Sequence, residues 1–438
     1  DEEPITLIKT VDTEQFLFEK AKQFNQYLLS NPNDIGQWIE FVRFQDEYMR
    51  LQTKKNTTAI SEKKIAIYER AIELNPSNSV LLTGYMRENA KIQPYDVVLN
   101  LWIHTLTNNI SDINLWNEFI MFKKSSFTNL TISDMRTVFR ESVNAFIEAK
   151  KHLDPNNVLD NEKIEECLLQ LFSDMCAFEK QSGFTERAIA MCQSLIELNC
   201  YCPIVYTSWD SQIAGFQQFW NSEVARFGES GSKGWNEWLF EKLTSQPTSS
   251  ESEDTSVNDN DDPYFESSQQ TVQHNDGEHS SERYIQWMRE EEKRSLNQIL
   301  PCRTNHNPRN DIVQCPDRVI LFEDIIDFLF PILSDSIQKQ LIFILLELLG
   351  FPIYYMQRSI DDTFTHENLL NKNDSKHLFS IFSTSLQDRF DHWKPFAYVK
   401  KPEVIHFIKN VMEQSIALYP NDNLFKMALL DFVAQSDT

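Results

Sequence analysis

The chain has 438 residues, 41% of them apolar, 12% aromatic and 24% charged, with 9 glycines, 16 prolines and a formal net charge of −24. That length suits two or three compact units or one extended repeat array, and the apolar content is ample for a core, which excludes disorder throughout. Nine glycines in 438 residues fall well below the roughly 7% of average usage, so folds built on phosphate-cradling loops, tight hairpins or nucleophile elbows are poorly supplied.

The 31 phenylalanines, with Leu, Ile, Glu and Lys, occur in runs without Val-rich alternation, the pattern of helices. Seven cysteines (Cys167, Cys176, Cys192, Cys200, Cys202, Cys302, Cys315) are an odd number scattered through apolar segments, which indicates a reducing compartment. The most apolar stretch, 341–356, contains Glu347 and Pro352. It falls short of the roughly 20 residues of a membrane span and reads as a buried helix, so no membrane partner is expected.

In chain order, residues 1–11 form an N-terminal tail and 12–243 a helical repeat block. WIEFVRFQ at Trp38 to Gln45 returns as WNEFIMFK at Trp116 to Lys123, with aromatics at i, i+3 and i+6. On a helix, Trp38, Phe41 and Phe44, or Trp116, Phe119 and Phe122, share one stripe that a partner helix must cover, while Glu40 and Glu118 point away. The offset of 78 residues reads as two units of about 39, with the weaker copy LLTGYMRE at Leu81 to Glu88 between them.

The covering helix repeats too. SEKKIAIYERAIELN at Ser61 to Asn75 aligns with TERAIAMCQSLIELN at Thr185 to Asn199, with seven identities in fifteen positions. Tyr68 and Ala71 belong to its packing face, Ala66 and Ala190 are the small residues that let helices approach, and Ser61 and Thr185 are the expected N-caps. Trp38, Phe41, Tyr68, Ala71, Trp116, Phe119 and Ala190 are therefore structural anchors.

The block closes on the Trp/Gly-rich segment 216–238. Together with Gly215 just upstream, it holds Gly228, Gly231 and Gly234, four of the nine glycines, and it holds three of the nine tryptophans. Glycines beside bulky rings imply a fixed loop. Trp220, Arg226, Glu229, Trp235 and Trp238 are the candidate partner surface, with Arg226 placed to pair with Glu229 or to stack on a Trp.

Residues 244–282 form an acidic linker. Ser245 to Glu282 carries ten acidic residues and no Lys or Arg, which predicts a disordered insertion. A second helical block spans 283–438. Phe322, Ile325, Ile326 and Leu329 are spaced as a helical stripe, Ile337 to Leu349 reads as a very apolar helix, and VMEQSIALYPND at Val411 to Asp422 is a third copy, followed by the opening of another first helix. The array is expected to continue beyond the chain end, because a terminal repeat needs a polar cap.

Chemistry is poorly provided for. There is no HExxH, GxSxG, GxxxxGK[ST] or GxGxxG. Cys302, His306 and Cys315 would need a fourth ligand to close a zinc tetrahedron, and no CxxC pair is present. No catalytic, metal or cofactor site and no small-molecule substrate is expected, and the acidic charge disfavours direct RNA binding.

FNQYLLSNPNDIGQWIEFVRFQDE, GFTERAIAMCQSLIELNCYCP, FWNSEVARFGESGSKGWNEW, and LPCR followed by DRVILFEDI, in that order, resemble the nuclear RNAi-defective family named for its second founding locus. One departure is Cys302 after Leu300-Pro301, where an aromatic is more family-like. The resemblance implies a nuclear, non-enzymatic scaffold of half-a-TPR repeats, acting in RNA silencing and RNA surveillance. Its implied partners are the nuclear exosome's RNA helicase and splicing-associated proteins, with RNA contacted indirectly. In that family the helicase-binding segment lies upstream of the repeats, so it is expected to be absent from a chain opening at Asp1-Glu2-Glu3-Pro4. The expected fold is all-α, an α-solenoid of half-a-TPR-like hairpins with an acidic disordered insertion. The alternatives are a half-a-TPR splicing or 3′-end-processing factor, or a direct RNA-binding repeat protein.

Overall fold

The computed structural model describes residues 4–51, 57–153, 157–244, 283–289, 299–302, 318–351 and 402–436. Among them the ordered structure is helical, with 3-10 turns and one isolated bridge between Cys302 and Val319, and no strand. The fold is an all-α repeat of helical hairpins. The chain forms two compact units, 1–167 and 168–438.

The first unit contains α1 (Pro4–Ser30), α2 (Ile35–Leu51), α3 (Thr57–Leu74), α4 (Ser79–Ile92), α5 (Tyr95–Asn108), α6 (Ile113–Ser125) and α7 (Ile132–Lys151). The division falls within α8 (Val158–Gln181). Leu17, Leu28, Trp38, Phe41, Val42, Phe44, Ile67, Tyr68, Ala71 and Leu81 make one core cluster from α1 to α4. Gly84 of α4 lies under the Tyr68 ring, where a Cβ would come within 2.5 Å of Cζ, so only glycine allows this approach.

The two Trp helices start alike. Asp34 accepts the Gln37 amide at 3.1 Å, and Asp112 accepts the Asn114 and Leu115 amides at 2.9 and 3.3 Å, satisfying donors that a helix start leaves open. The Trp38 indole N–H then donates to the Pro32 carbonyl at 2.9 Å and that of Trp116 to Ile110 at 2.8 Å. Each ring is thus buried by the stripe while its one polar atom latches the preceding turn. Glu118 receives the Arg87 guanidinium from α4, with Nε at 3.0 Å.

Two expected helix starts are corrected. Ser61 lies inside α3, buried, donating to Glu88 at 3.2 Å beside Lys64. Thr185 is the first helical residue of α9 (Thr185–Cys200), and Phe184 before it makes no side-chain cap. Ala66 is exposed, and the small buried residue of α3 is Ala71. Ala190 is fully buried, because α9 is enclosed on all faces from Ala188 to Leu198 whereas α3 buries one stripe.

The second unit continues with α10 (Trp209–Asn221), α11 (Trp235–Thr244), α12 (Asp335–Leu348), α13 (Pro402–Leu418) and α14 (Asn423–Ser436). The stripe at Phe322 to Leu329 is not an α-helix. It is two 3-10 turns, Phe322–Asp324 and Ile326–Phe328, that bury Phe322, Ile325, Phe328 and Leu329 and leave Ile326 exposed. Pro331 lies just beyond, and the Asp324 carboxylate ties back to the Leu321 amide at 3.0 Å. The apolar helix expected to reach 349 ends at Leu348, followed by Gly350 at φ 84°.

The unit boundary also differs from the expected division at the acidic segment. Residues on the two sides of 245–282 pack together: the Trp220 indole donates to the Ile320 carbonyl at 3.1 Å, and Asn199 donates to Phe330 O at 3.1 Å while accepting the Ile332 amide at 2.7 Å. The segment 245–282 itself lies outside the described residues.

Candidate functional site

The Trp/Gly segment occupies the middle of the second unit. Trp235 begins α11 and is fully enclosed, stacked on Tyr206 at 5.2 Å and edge-on to Phe216 at 5.3 Å. Gly215 allows the first contact, since a side chain there would collide with the Tyr206 ring. Trp220 at the end of α10 is buried beneath the Arg226 guanidinium, which lies 3.4 Å above its ring centroid. Trp238 is half-buried, edge-on to Phe219 at 5.5 Å.

The loop between α10 and α11 is held by side chains on its backbone. Its amides at Phe227 and Trp235 donate to the two oxygens of Glu197, at 2.8 and 3.0 Å. Gln193, one turn earlier on α9, donates to the Phe227 carbonyl at 2.8 Å. From the other side, Gln414 of α13 accepts the Gly228 amide at 2.7 Å and donates to Glu229 O at 3.3 Å, while Asn410 donates to Gly228 O at 3.2 Å. Gly228 sits at φ 83°, and a Cβ there would approach Phe407 Cζ to 2.6 Å, so both backbone conformation and space require glycine. Gly234, at φ 86°, similarly leaves no room beside the Tyr201 ring.

Electrostatics follow the burial. Desolvation pushes the Glu197 carboxyl up to about 8 against the two amide hydrogen bonds that favour its charge, so it carries its proton at neutral pH. Burial pushes Glu347 up to about 7, opposed by Lys180. That lysine donates to the Leu348 carbonyl at 2.7 Å, capping α12. Burial likewise raises the Cys167 and Cys200 thiols to about 12, and it raises Cys176, whose sulfur lies 3.9 Å from that of Cys192. Thiols held protonated in this way are poor nucleophiles.

The candidate partner surface is therefore largely internal. Trp220, Arg226 and Trp235 are buried, and Glu229 is half-buried, accepting the Arg226 amide at 3.2 Å and the Gln193 side chain at 3.3 Å. The residues act as a keystone because every ring and most loop amides are spent on neighbours. Of the anchors, Trp38, Phe41, Tyr68 and Ala71 share one cluster, Trp116 and Phe119 lie together on α6, and Ala190 lies in α9.

Glu197, Gln193, Gln414 and Asn410 were not legible in the sequence. Glu197 aligns with Glu73, which is exposed on α3, so the repeat match disguised it. The signal that could have found it is the spacing of three glycines, whose φ values near 80° turn loop amides toward an acceptor.

Among the described residues no group of three His, Cys, Asp or Glu could hold a metal, and no helix is long and apolar enough to cross a membrane. Cys302 is half-buried, with its amide donating to Arg318 O at 3.0 Å; His306 and Cys315 lie outside the described residues. Two surface recesses, of about 530 and 400 Å³, sit at the turns 108–114 and 418–423, the latter joined by Lys339. Neither includes Glu197 or Glu347 among its walls.

A family model described as "NRDE-2, necessary for RNA interference" matches residues 19–354. The chain is 26% identical over 357 residues to the human protein named nuclear exosome regulator NRDE2, covering 76% of this chain and 29% of that protein. It is 27% identical over 238 residues to the Dictyostelium discoideum protein of the same name, covering 51% and 18%. It is also 22% identical over 255 residues to the Schizosaccharomyces pombe protein NRDE2 homolog, covering 52% and 26%. The chain thus spans less than a third of the length of the curated relatives it matches.

Proposed function

This chain belongs to the NRDE-2 family, and from that membership we propose that it works in the nucleus as a regulator of RNA surveillance and RNA silencing, holding protein partners on its helical repeats and catalysing nothing itself. The observation that carries this reading is the keystone. Two carboxyls with strongly raised pKa, Glu197 and Glu347, are spent on loop amides and core packing, and neither lines the recesses at 108–114 and 418–423. Strongly shifted carboxyls mark active sites when they line a cleft; here they mark packing. Hairpin repeats suit partner binding because each added unit extends the surface without new topology. Proteins of the exosome machinery are the first partner class, since the relatives' printed names point to them, and splicing-associated proteins are the second.

Affinity capture from nuclear extract tests the proposal, comparing this chain with a version extended upstream. Recovery of the exosome's RNA helicase by the extended form supports it. Recovery of neither helicase nor splicing proteins by either form would defeat it. Salt-sensitive retention of purified RNA by this chain alone would favour a direct RNA binder instead.

A further inference from the structure

The helical stretch 283–289 leaves every one of its residues exposed, although four of the seven are large and apolar. Tyr284, Ile285, Trp287 and Met288 are 59%, 46%, 55% and 48% exposed. At helical spacing these four side chains fall on one side, with Arg283 and Arg289 at its two margins and Gln286 opposite. The Tyr284 and Trp287 rings lie 6.0 Å apart on that side. Large apolar side chains gain most from being covered, so a face of this kind favours a matching surface.

Such a surface lies in the same unit. The two 3-10 turns bury Phe322, Ile325 and Phe328 but leave Leu321 and Ile326 57% and 40% exposed. Glu323 and Asp327, which alternate with them along the chain, are exposed too, whereas Asp324 is spent on Arg187 and on the Leu321 amide. Charge is opposite in the two segments. Residues 283–289 hold two arginines and no acid, and residues 321–328 hold three acids and no base.

The chain keeps the two close. The Leu300 carbonyl accepts Arg318 Nε at 3.1 Å, and the Cys302 amide donates to Arg318 O at 3.0 Å, which pins the chain three residues before Leu321. Only residues 290–299 separate Arg289 from Leu300, a reach of at most about 40 Å at full extension. A tether this short makes the encounter intramolecular, at an effective concentration on the order of millimolar.

We infer that 283–289 is a strap whose aromatic side closes on Leu321 and Ile326, with Arg283 and Arg289 set against Glu323 and Asp327. Opposite charge, an apolar surface on each side and the short tether together select this occupant. The structure shows the strap open, since both surfaces are exposed. A protein that uses the Leu321–Ile326 patch must displace the strap first.

Cross-linking in the 438-residue chain tests the closure. Met288→Cys is combined with Ile326→Cys and, separately, with Ile204→Cys, an exposed position elsewhere in the same unit. A short bis-maleimide joins the cysteines, and peptide mass spectrometry reads the product formed within one chain. The expected 288–326 yield is at least roughly threefold above that of 288–204 and does not depend on protein concentration. Arg283→Glu with Arg289→Glu should lower it by roughly threefold, and adding Glu323→Arg should restore part of the loss. Equal yields for the two pairs, or a 288–326 yield indifferent to charge reversal, would overturn the inference. A 288–326 product found only between chains would overturn it in favour of a second copy. Amide exchange over 321–328, compared between the unsubstituted chain and one lacking 283–289, gives a reading free of cysteines: faster exchange after the deletion is expected, and unchanged exchange would also overturn the inference.

Discussion

The two units solve the same packing problem over different sequence distances. In the first, the polar ties join neighbours in the chain: Ser61 to Glu88, Arg87 to Glu118 and Asn75 to Pro32 are 27, 31 and 43 residues apart. In the second, Trp220 to Ile320, Asn199 to Phe330 and Gly228 to Gln414 span 100, 131 and 186 residues. Local ties let a repeat assemble hairpin by hairpin, while the second unit must bring remote segments to one loop before any of them is secure.

The sharpest way to break this contrast is truncation after residue 351, which removes α13 and α14 and with them Asn410, Gln414, Phe407 and Val411. The family match ends at 354 and gives no warning that these residues matter. We expect amide exchange at 226–234 to become fast while 57–151 keeps its protection. Unchanged protection at the loop would show that α9 alone holds it.

A smaller and opposite loss follows from Trp38→Ala, which should cost about 3–5 kcal/mol and affect only the first unit, since the ring and its latch serve α1 to α4. Segment-resolved hydrogen exchange under denaturant would measure it. An equal effect on the second unit would contradict the division.

The pH dependence separates the units as well. Glu197 has its pKa raised on folding from an ordinary value of 4.5 to about 8, so the native state holds the proton more tightly than the unfolded chain. Its contribution to stability is therefore fully present below about 4.5 and is lost as the pH rises through 8. Urea denaturation followed from pH 5.5 to 8.5 should show the second unit weakening while the first changes little, and Glu197→Gln should flatten most of that slope. The remainder belongs to Glu347, raised to about 7 with the same sign. A second unit that grows more stable across this range would refute the assignment.

The smallest effects sharpen the first unit. Trp116→Phe keeps a ring but loses the bond to Ile110 O and should cost about 1 kcal/mol beyond repacking. Arg43→Ala, which removes an exposed pair with Glu40, should change stability by less than about 0.5 kcal/mol. Thermal denaturation ranks the two, and reversal of that order would mean the indole bond carries no weight.

Fold class and the Trp stripes were readable because helical periodicity and aromatic spacing are local properties, and the repeat at Trp38 and Trp116 states them twice. The asymmetry between α3 and α9 was not readable. Seven identities in fifteen residues describe the same helix, yet Ala66 and Glu73 face solvent on one while Ala190 and Glu197 are enclosed on the other. The same limit turned Trp220, Arg226 and Trp235 from candidate surface into core, and it broke the stripe at Phe322 into two 3-10 turns.

By itself, the sequence determined the all-α class and the aromatic stripes of the two Trp helices, since these depend on residues within one or two turns of each other. Tertiary structure alone decided which faces are covered, which carboxyl keeps its proton and where the units divide. Burial depends on which remote segments arrive, and neither composition nor spacing encodes that arrival.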